Sequence, residues 1–296
     1  MAAYQKRRTA HIARLHTALE SGNYRHGPYE RFTICDPKTR QIHKAMVEDR
    51  LVHQAVVSAI EPVFERRFVY DSYSCRPGKG THAGVVRLRQ FLRQASANGT
   101  RKVYVLKCDV RQFFASIDHD ILMERLALRL EDERILWLLR EVLLSHGSEG
   151  GRGIPLGNVT SQLFANVYLH ELDWYMKQTL GVRHYARYCD DFVVVSPDRD
   201  YLESLVDPIR VFLHSRLRLE LHPSKVTIRS WDQGVDFLGF VLRPHTTTLR
   251  TKTKQRMLAR VTKHNLSSYI GICSHADAYR LGQIVQLVAW EREVLQ

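Results

Sequence analysis

Cysteine is scarce in this sequence and is never paired. The five cysteines are scattered over 296 residues, and no two of them are spaced as Cys-x-x-Cys. This spacing argues against a disulfide framework and against a zinc site, so we interpret the cysteines as reduced thiols of a cytoplasmic protein. The sequence also lacks the apolar core of a signal peptide and any apolar run of membrane-spanning length. We therefore expect no membrane contact.

Acidic residues are the second scarcity. The chain has 44 Lys and Arg against 31 Asp and Glu, a net charge of +13, and no acidic residue occurs from Phe237 to Ala276. A solvated helix usually mixes charges of both signs, whereas a one-sided run suits the phosphates of a nucleic acid. Composition alone also fits an ordinary basic protein, so the choice depends on motifs. The basic residues that we single out in this run are Arg250, Lys252, Lys254 and Arg256.

Three aspartates occupy special positions. Asp190 and Asp191 lie between two short runs of β-forming residues, which predicts a tight hairpin with both carboxylates at its turn. Such a pair alone is more typical of a solvated turn than of a site. Asp109, however, ends an apolar strand predicted over residues 103–110, where a charge is costly unless it is paired or metal-bound. The three together favour a site for two Mg²⁺ ions, which prefer oxygen ligands.

The segments around these carboxylates resemble the palm motifs of reverse transcriptases, in the branch that contains group II introns and bacterial retroelements. The resemblance rests on the run Phe-Phe-Ala-Ser-Ile-Asp-His at residues 113–119 and on Arg-Tyr-Cys-Asp-Asp-Phe at residues 187–192. It implies an α+β right-hand polymerase fold with an N-terminal segment and fingers in residues 1–100, palm in 101–240 and a short helical thumb in 241–296. It also implies a bacterial or phage-encoded enzyme that copies a template RNA into DNA from a DNA primer and dNTPs.

The resemblance further implies two Mg²⁺ ions, for which Mn²⁺ can substitute. Asp109 and Asp190 would bridge the ions, Asp191 would add charge, and Val110 completes the implied ligand set. Lys225 follows a segment similar to the next palm motif and could neutralise or protonate the leaving pyrophosphate. A lysine before a strand is otherwise solvent-facing, and the residues alone leave both readings open.

Other residues are assigned to the incoming nucleotide. A predicted hairpin at residues 31–43 carries Lys38 and Arg40, which could lie over a triphosphate or could simply be solvated. Phe114 lies where the family has a bulky ring that blocks the 2′-hydroxyl of a ribonucleotide, although an aromatic residue after a strand is also typical of core packing. The remaining candidates are Val110, Phe113, Leu156, Gly157 and Gln162.

Two further segments are candidates for nucleic-acid contact. The Gly- and Pro-containing loop at residues 70–83 opens into a helix, so Arg76 and Lys79 could meet a template backbone, or the loop could be an ordinary basic one. Residues 236–241 resemble the family's hairpin that supports the primer end, which assigns Gly239 to this group. The basic run after it matches the family's thumb.

The segment from Leu156 to Gln162 separates branches of the family. Group II intron enzymes have Gln-Gly-x-x-x-Ser-Pro here, whereas this chain has Leu-Gly-Asn-Val-Thr-Ser-Gln. With these two departures, the segment resembles the corresponding one in reverse transcriptases of diversity-generating retroelements. As a class, those enzymes miscopy template adenines and work with a small accessory protein. A retron or truncated group II intron enzyme, or an RNA-binding protein on an inactive palm, remains an alternative. Because no maturase or nuclease segment follows the thumb, we expect something other than a complete self-mobilising intron protein.

Overall fold

Helices and strands alternate along the chain in a mixed α/β fold, as the sequence predicts. The computed structural model describes residues 2–35, 39–146 and 149–294. The helices are α1 (Ala2–Glu20), α2 (Val47–Glu65), α3 (Thr81–Ala95), α4 (Phe113–Ser116), α5 (His119–Ala127), α6 (Glu133–Leu144), α7 (Val159–Trp174), α8 (Arg199–Ser204), α9 (Val206–Leu217), α10 (Thr251–Arg260), α11 (Leu266–Cys273) and α12 (Tyr279–Val294). The strands are β1 (Glu30–Ile34), β2 (Arg40–Lys44), β3 (Tyr104–Asp109), β4 (Tyr185–Tyr188), β5 (Asp191–Ser196), β6 (Thr227–Ser230), β7 (Val235–Phe237), β8 (Phe240–Leu242) and β9 (Thr247–Leu249).

The chain divides into two compact units, each built from separated segments. The first unit comprises Met1–Tyr70, Val110–Leu180 and Ile209–His222, and the second comprises Asp71–Asp109, Gly181–Pro208 and Pro223–Gln296. These units are defined by contacts, whereas fingers, palm and thumb are functional divisions. The boundaries proposed for fingers, palm and thumb from the sequence stay a prediction.

The second unit contains an antiparallel four-stranded sheet in the order β4-β5-β3-β6. Its central strands are apolar because they are covered, and the run from Phe192 to Val195 is buried throughout. Helix α3 packs against β4 and β5. The register of β3 and β5 sets Asp109 opposite Asp191, so β3 ends and β5 begins at the same end of the sheet.

A smaller sheet of β7, β8 and β9 also belongs to the second unit. β7 and β8 form the hairpin predicted over residues 236–241, and Leu238 and Gly239 take the positive φ values of its turn, 51° and 91°. Phe237, Phe240 and Met257 are buried in one apolar cluster of this unit, which also takes in residues of α3 and α12.

The first unit is mainly helical, with α7 contacting α2 and α5. Aspartate caps fix where its helices begin, because Asp118 accepts the N–H of Ile121 and Asp132 accepts the N–H of Arg134. The hairpin of β1 and β2 completes the unit and matches the hairpin predicted from the sequence. Across all described residues, no helix has the length and apolar content that crossing a bilayer would require.

Two predicted helices differ from the observed ones. Bulky apolar residues at helical spacing predict a single helix over residues 201–221. This prediction is wrong, because the chain forms α8 and α9 instead. Pro208 explains the interruption, since it cannot donate to the carbonyl of Ser204 and its ring crowds that carbonyl. The helical thumb that the resemblance implies predicts a helix over residues 253–266. The observed helix α10 ends at Arg260 instead, and the unpredicted α11 follows. The side chain of Asn265 binds the N–H of Thr262 and the carbonyl of Arg260, which diverts both groups from helical bonds.

Candidate active site

The paired aspartates lie at the hairpin turn that the sequence predicts. Tyr188 pairs with Asp191, so Cys189 and Asp190 form the two-residue connection between β4 and β5. Cys189 adopts a left-handed conformation with φ of 55°, which a two-residue turn of this twist requires. The strand pairing thus presents two successive carboxylates at one end of the sheet in the second unit.

Asp109 and Asp191 are each paired with a lysine. The Nζ atom of Lys225 lies 2.7 Å from Oδ1 of Asp109, and Nζ of Lys107 lies 3.0 Å from Oδ2 of Asp191. Both carboxylates are largely buried, with 17% and 22% of their side chains exposed. In such surroundings an ion pair is screened less than at the surface. The sequence analysis placed Lys225 at this site, and the structure brings it to Asp109.

The ionisation of the aspartates reflects their crowding. Burial, followed by the negative charge of Asp109, raises the pKa of Asp190. Burial also raises the pKa of Asp191 to about 6, with Lys107 acting in the opposite direction. Asp190 and Asp191 therefore resist full ionisation, and further positive charge would stabilise their charged forms.

A divalent cation fits this donor set. Oδ1 of Asp191 is buried and has no hydrogen-bond partner, which is unusual for a carboxylate oxygen. All candidate donors are hard oxygens, the type that Mg²⁺ prefers. Asp109 and Asp191 are nevertheless paired with lysines. Over residues 2–35, 39–146 and 149–294, no three His, Cys, Asp or Glu side chains are grouped as metal ligands. Asp109, Asp190 and Asp191 are the residues that would hold the ion. For Val110 the side chain is apolar and 1% exposed, and its assignment stays a prediction.

Lys107 is a residue of the site that the sequence analysis missed. Besides Asp191, its Nζ atom donates to the carbonyl of Asp236 at 2.9 Å and lies 5.9 Å from the centre of the Phe237 ring. A signal existed in the sequence, because side chains two positions apart on a strand share a face and Lys107 precedes Asp109 by two. A lysine in an otherwise apolar strand next to an acid indicates a buried charge partner.

The candidate nucleotide-binding residues belong to the first unit, apart from Lys38, which lies outside the described residues. Arg40 is exposed on β2. Phe113 is 2% exposed and packs in the core, whereas Phe114 is half-buried and meets Phe113 edge to face at 5.3 Å. Gln162 is exposed on the first turn of α7.

The segment around Leu156 is held tightly against β2 within the first unit. The carbonyl of half-buried Leu156 accepts the N–H of His43 at 3.0 Å, and the side-chain amide of Asn158 donates to the carbonyl of His43 at 2.9 Å. Gly157 between them has φ of 106°, and a Cβ atom there would lie 2.7 Å from Cγ2 of Ile42. From the sequence, this glycine is predicted to lie at the incoming nucleotide. The close approach of β2 is a structural reason for a glycine at this position.

The candidate nucleic-acid contacts belong to the second unit and differ in their surroundings. Arg76 donates to the carbonyl of Ser72 at 2.8 Å, and Lys79 lies over the ring of Tyr73. Arg250 pairs with Asp236 and donates its N–H to the carbonyl of Gly239. The other three candidates lie on α10, where Lys252 is exposed and Lys254 and Arg256 are half-buried.

Comparison with known protein families gives one match over most of the chain. The family model described as reverse transcriptase (RNA-dependent DNA polymerase) matches residues 35–242. Protein YkfC of Escherichia coli is 27% identical over 275 aligned residues, which cover 79% of this chain and 72% of YkfC. The group II intron-encoded protein LtrA of Lactococcus lactis is 22% identical over 83% of this chain. The chain spans about half, 52%, of the length of LtrA.

Solved structures show a similar fold at low sequence identity. Telomerase from Candida albicans, in complex with a fragment of telomeric RNA, matches 91% of this chain and 54% of its own chain with a TM-score of 0.58 and 13% identity. Apo telomerase from Candida tropicalis, truncated from its C-terminal domain, matches 75% of this chain with a TM-score of 0.55. At such identities the likeness bears on the fold alone.

Proposed function

The chain belongs to the reverse transcriptase (RNA-dependent DNA polymerase) family, and from this premise we propose that it copies a template RNA into DNA at the site formed by Asp109, Asp190 and Asp191. The observation that carries the proposal is the register of β3 and β5, which sets Asp109 opposite Asp191 beside a turn that holds Asp190. A polymerase needs converging carboxylates at the primer end, and a fold that only bound RNA would gain nothing from burying three acids together.

Divalent cations, when bound at the three carboxylates, activate the 3′-hydroxyl of the primer and offset charge on the leaving pyrophosphate. Asp109 and Asp190 would hold Mg²⁺, or Mn²⁺ in its place, and Asp191 would add a further oxygen. Lys225, which lies 2.7 Å from Asp109, is placed to exchange that carboxylate for a phosphate oxygen. Lys107 would remain bound to Asp191 and to the carbonyl of Asp236, which keeps the Asp191 carboxylate in place.

Replacing Asp190 by asparagine tests the proposed chemistry. Asp190→Asn removes one charge and one oxygen donor without changing the size of the side chain, so primer extension should fall to background. RNA binding should remain, because the basic surface does not depend on this residue. The measurement is primer extension on a homopolymeric RNA template with Mg²⁺ or Mn²⁺, together with an RNA-binding assay.

Asp200→Asn is the matched control, since Asp200 is an exposed aspartate in the first turn of α8. It should leave primer extension at the level of the parent. Parental activity in Asp190→Asn would rule out this site as the catalytic one. Loss of activity in both variants would point to a general effect of charge.

For the branch of the family, we propose a reverse transcriptase of a diversity-generating retroelement that works with a small accessory protein and a structured template RNA. Support comes from Leu156 and Gln162, which stand where group II intron enzymes have glutamine and proline. An apolar side chain at position 156 cannot hydrogen-bond near the nascent base pair. Losing one such bond changes discrimination by about 1 kcal/mol, or several-fold in error rate.

Sequencing the cDNA made on a mixed-sequence RNA tests this branch assignment. The parent should misincorporate mainly opposite template adenines, and Leu156→Gln should lower that error rate several-fold. Leu128→Gln, which changes an exposed leucine of the same unit, should have no effect. Errors spread evenly over the four template bases and unmoved by Leu156→Gln would instead indicate a retron-like or group II intron-like enzyme.

A further inference from the structure

Arg187, three positions before Asp190, is completely buried. It is 0% exposed and heads the fully buried side chains of the described chain when these are ordered by volume. A guanidinium group has five N–H donors and stays charged, so its burial is costly unless those donors are hydrogen-bonded. The catalytic chemistry described above gives this arginine no role.

The guanidinium group links the backbone of the hairpin turn to the side chain of Ser72. One terminal nitrogen donates to the carbonyl of Cys189 at 3.0 Å, and the other donates to the hydroxyl of Ser72 at 3.0 Å. Cys189 and Asp190 are the two residues of the hairpin turn. The accepting carbonyl therefore belongs to the peptide group that leads into Asp190.

The segment around Ser72 gives this contact a firm base. Arg187 donates its backbone N–H to the carbonyl of Asp71 at 2.9 Å and accepts the N–H of Tyr73 at 2.8 Å, which extends β4 by a parallel bridge. The carboxylate of Asp71 is itself held by Arg87 of α3 at 2.8 Å and by the hydroxyl of Tyr73 at 3.0 Å. Ser72 is 0% exposed. The anchor of Arg187 is thus part of the core of the second unit.

The turn needs such an anchor because its backbone adopts an unfavourable conformation at Cys189. Cys189 has φ of 55°, a conformation that a residue with a β-carbon rarely adopts. A peptide group beside a left-handed residue can rotate, and rotation of the Cys189–Asp190 peptide would turn the Asp190 side chain with it. A bond from a fixed guanidinium to the carbonyl of this peptide opposes that rotation.

We propose that Arg187 is a positioning residue of the active site, which fixes the peptide between Cys189 and Asp190 and so aims the Asp190 carboxylate at the bound cation. The inference rests on the proposed role of Asp190 as a metal ligand. It assigns Arg187 no contact with substrate. The opposing interpretation is that Arg187 only fills the core, in which case its loss would lower stability without changing any properly folded site.

Cation binding and turnover per active site separate these interpretations. Binding of Mn²⁺ is measured directly from the EPR signal of the free ion, and turnover is normalised by active-site titration with primer and template. Arg187→Met should weaken Mn²⁺ binding several-fold and lower turnover per active site about tenfold or more, because small misplacements of catalytic groups have effects of this size. Arg187→Lys keeps the charge and one donor and should recover part of both losses.

Two further variants complete the experiment. Ser72→Ala removes the anchor of the guanidinium but leaves the backbone bridge, and it should weaken Mn²⁺ binding about two- to threefold. Arg183→Met removes an exposed arginine that precedes the same strand, and it should match the parent in both measurements. If the Arg187 variants do not fold, Ser72→Ala decides the question alone.

Parental Mn²⁺ affinity and parental turnover per active site in Arg187→Lys and Ser72→Ala would overturn the inference. So would an Arg187→Met protein in which only the fraction of active molecules falls. The proposed polymerase function fails separately, if the parent binds Mn²⁺ through Asp190 but extends no primer. In that event the Mn²⁺ affinities still support or overturn the role of Arg187.

Discussion

Two lysines bind the oxygens that a catalytic cation would need. Lys225 pairs with Asp109 and Lys107 pairs with Asp191, so both ammonium groups compete with a divalent ion for the same carboxylates. Lys107 has a second acceptor in the carbonyl of Asp236, whereas Lys225 is more exposed, at 39%. Lys225 is therefore the lysine more easily displaced, which agrees with its proposed role at the leaving pyrophosphate.

Phe114 lies at a position that should exclude ribonucleotides. It is half-buried, while Phe113 beside it is buried in the core, so Phe114 has the freer ring. Phe114→Val should raise the use of ribonucleotides relative to deoxyribonucleotides, because a smaller side chain leaves room for a 2′-hydroxyl. The ratio is measured in single-nucleotide extension with matched NTP and dNTP. Phe212→Val, a half-buried phenylalanine of α9, serves as control, and an unchanged ratio in Phe114→Val would make Phe114 a packing residue.

His53 makes the stability of the chain sensitive to acid. It is 1% exposed, and its Nε2 atom lies 3.1 Å from Nε2 of His26. Burial, followed by the charge of His26, lowers the pKa of His53 to about 4. Between pH 6.5 and about 4 the unfolded chain binds a proton at this position that the folded chain does not, so stability is lost as pH falls through this window.

Replacing His53 by methionine should remove that dependence. Between pH 7 and pH 5 the parent should lose about 1–2 kcal/mol more of its free energy of unfolding than His53→Met does. Urea unfolding at the two pH values measures the difference. His16→Gln, at an exposed position of α1, should lose as much as the parent. An equal loss in His53→Met would show that His53 does not carry the effect.

At the scale of elements, the segment Leu156–Asn158 depends on Gly157. A Cβ atom at this position would clash with Ile42 of β2, and φ of 106° is itself unfavourable for other residues. Gly157→Ala should therefore destabilise the protein by about 1–3 kcal/mol, the range of overpacking changes. Chemical unfolding measures this, and activity should fall in parallel because β2 carries Arg40.

A second glycine separates the clash from the backbone strain. Gly22 also has a positive φ, 69°, but nothing lies within 4 Å of a Cβ atom built on it. Gly22→Ala should thus show the strain alone and destabilise less than Gly157→Ala. In an Ile42→Ala background the effect of Gly157→Ala should shrink toward that of Gly22→Ala. If the Ile42 background leaves it unchanged, the clash is not the cause.

Local pattern predicts the elements of the site better than it predicts their partners. β3 follows from an apolar run that ends at Asp109, and its bounds Tyr104–Asp109 lie close to the predicted range 103–110. β5 and the turn before it follow from the position of Asp190 and Asp191 between two β-forming runs. The pair Lys225–Asp109 joins residues 116 positions apart, so it depends on a strand register that no local pattern contains. Lys107 was overlooked because its partner Asp191 lies on another strand, 84 positions along the chain. Arg187 was overlooked because its partner Ser72 lies 115 positions away, outside the strands.

The ends of helices are also difficult to predict from the sequence. Apolar spacing indicates a helix but does not mark where one turn fails, and the break between α8 and α9 follows from Pro208 rather than from the apolar pattern. The end of α10 likewise follows from side-chain bonds of Asn265 to Thr262 and Arg260. The predicted fold class is nevertheless confirmed, since the mixed α/β chain shares the right-hand polymerase fold of the telomerases at a TM-score of 0.58.

For the whole molecule, phosphate contacts by the basic run from Phe237 to Ala276, which contains no acidic residue, should make RNA binding strongly dependent on salt. Each phosphate contact to a single strand contributes about 0.7 to the slope of log affinity against log salt concentration. Replacing Lys252, Lys254 and Arg256 by glutamine should therefore reduce the slope by up to about 2. Fluorescence anisotropy with a labelled RNA over a range of KCl concentrations gives the slope.

A charge-matched control removes three arginines elsewhere. Arg66, Arg67 and Arg134 are exposed in the first unit, and replacing them by glutamine lowers the net charge by the same amount. This variant should keep most of the parental slope, because contacts and not net charge release counterions. Equal slopes in the two triple variants would mean that α10 does not track the phosphates.

The strand order β4-β5-β3-β6 also has a consequence for folding during translation. β3 is synthesised first of the four, yet both of its neighbours, β5 and β6, come only from Asp191 onward. Until then a mostly apolar strand of six residues has two unpaired edges, and nascent chains aggregate through segments of this kind. Asp109 likewise has no neighbouring carboxylates until Asp190 and Asp191 have been synthesised. We expect nascent chains arrested at residue 180 to engage chaperones at β3, and the enzyme to acquire its cation site only when translation is well past its midpoint.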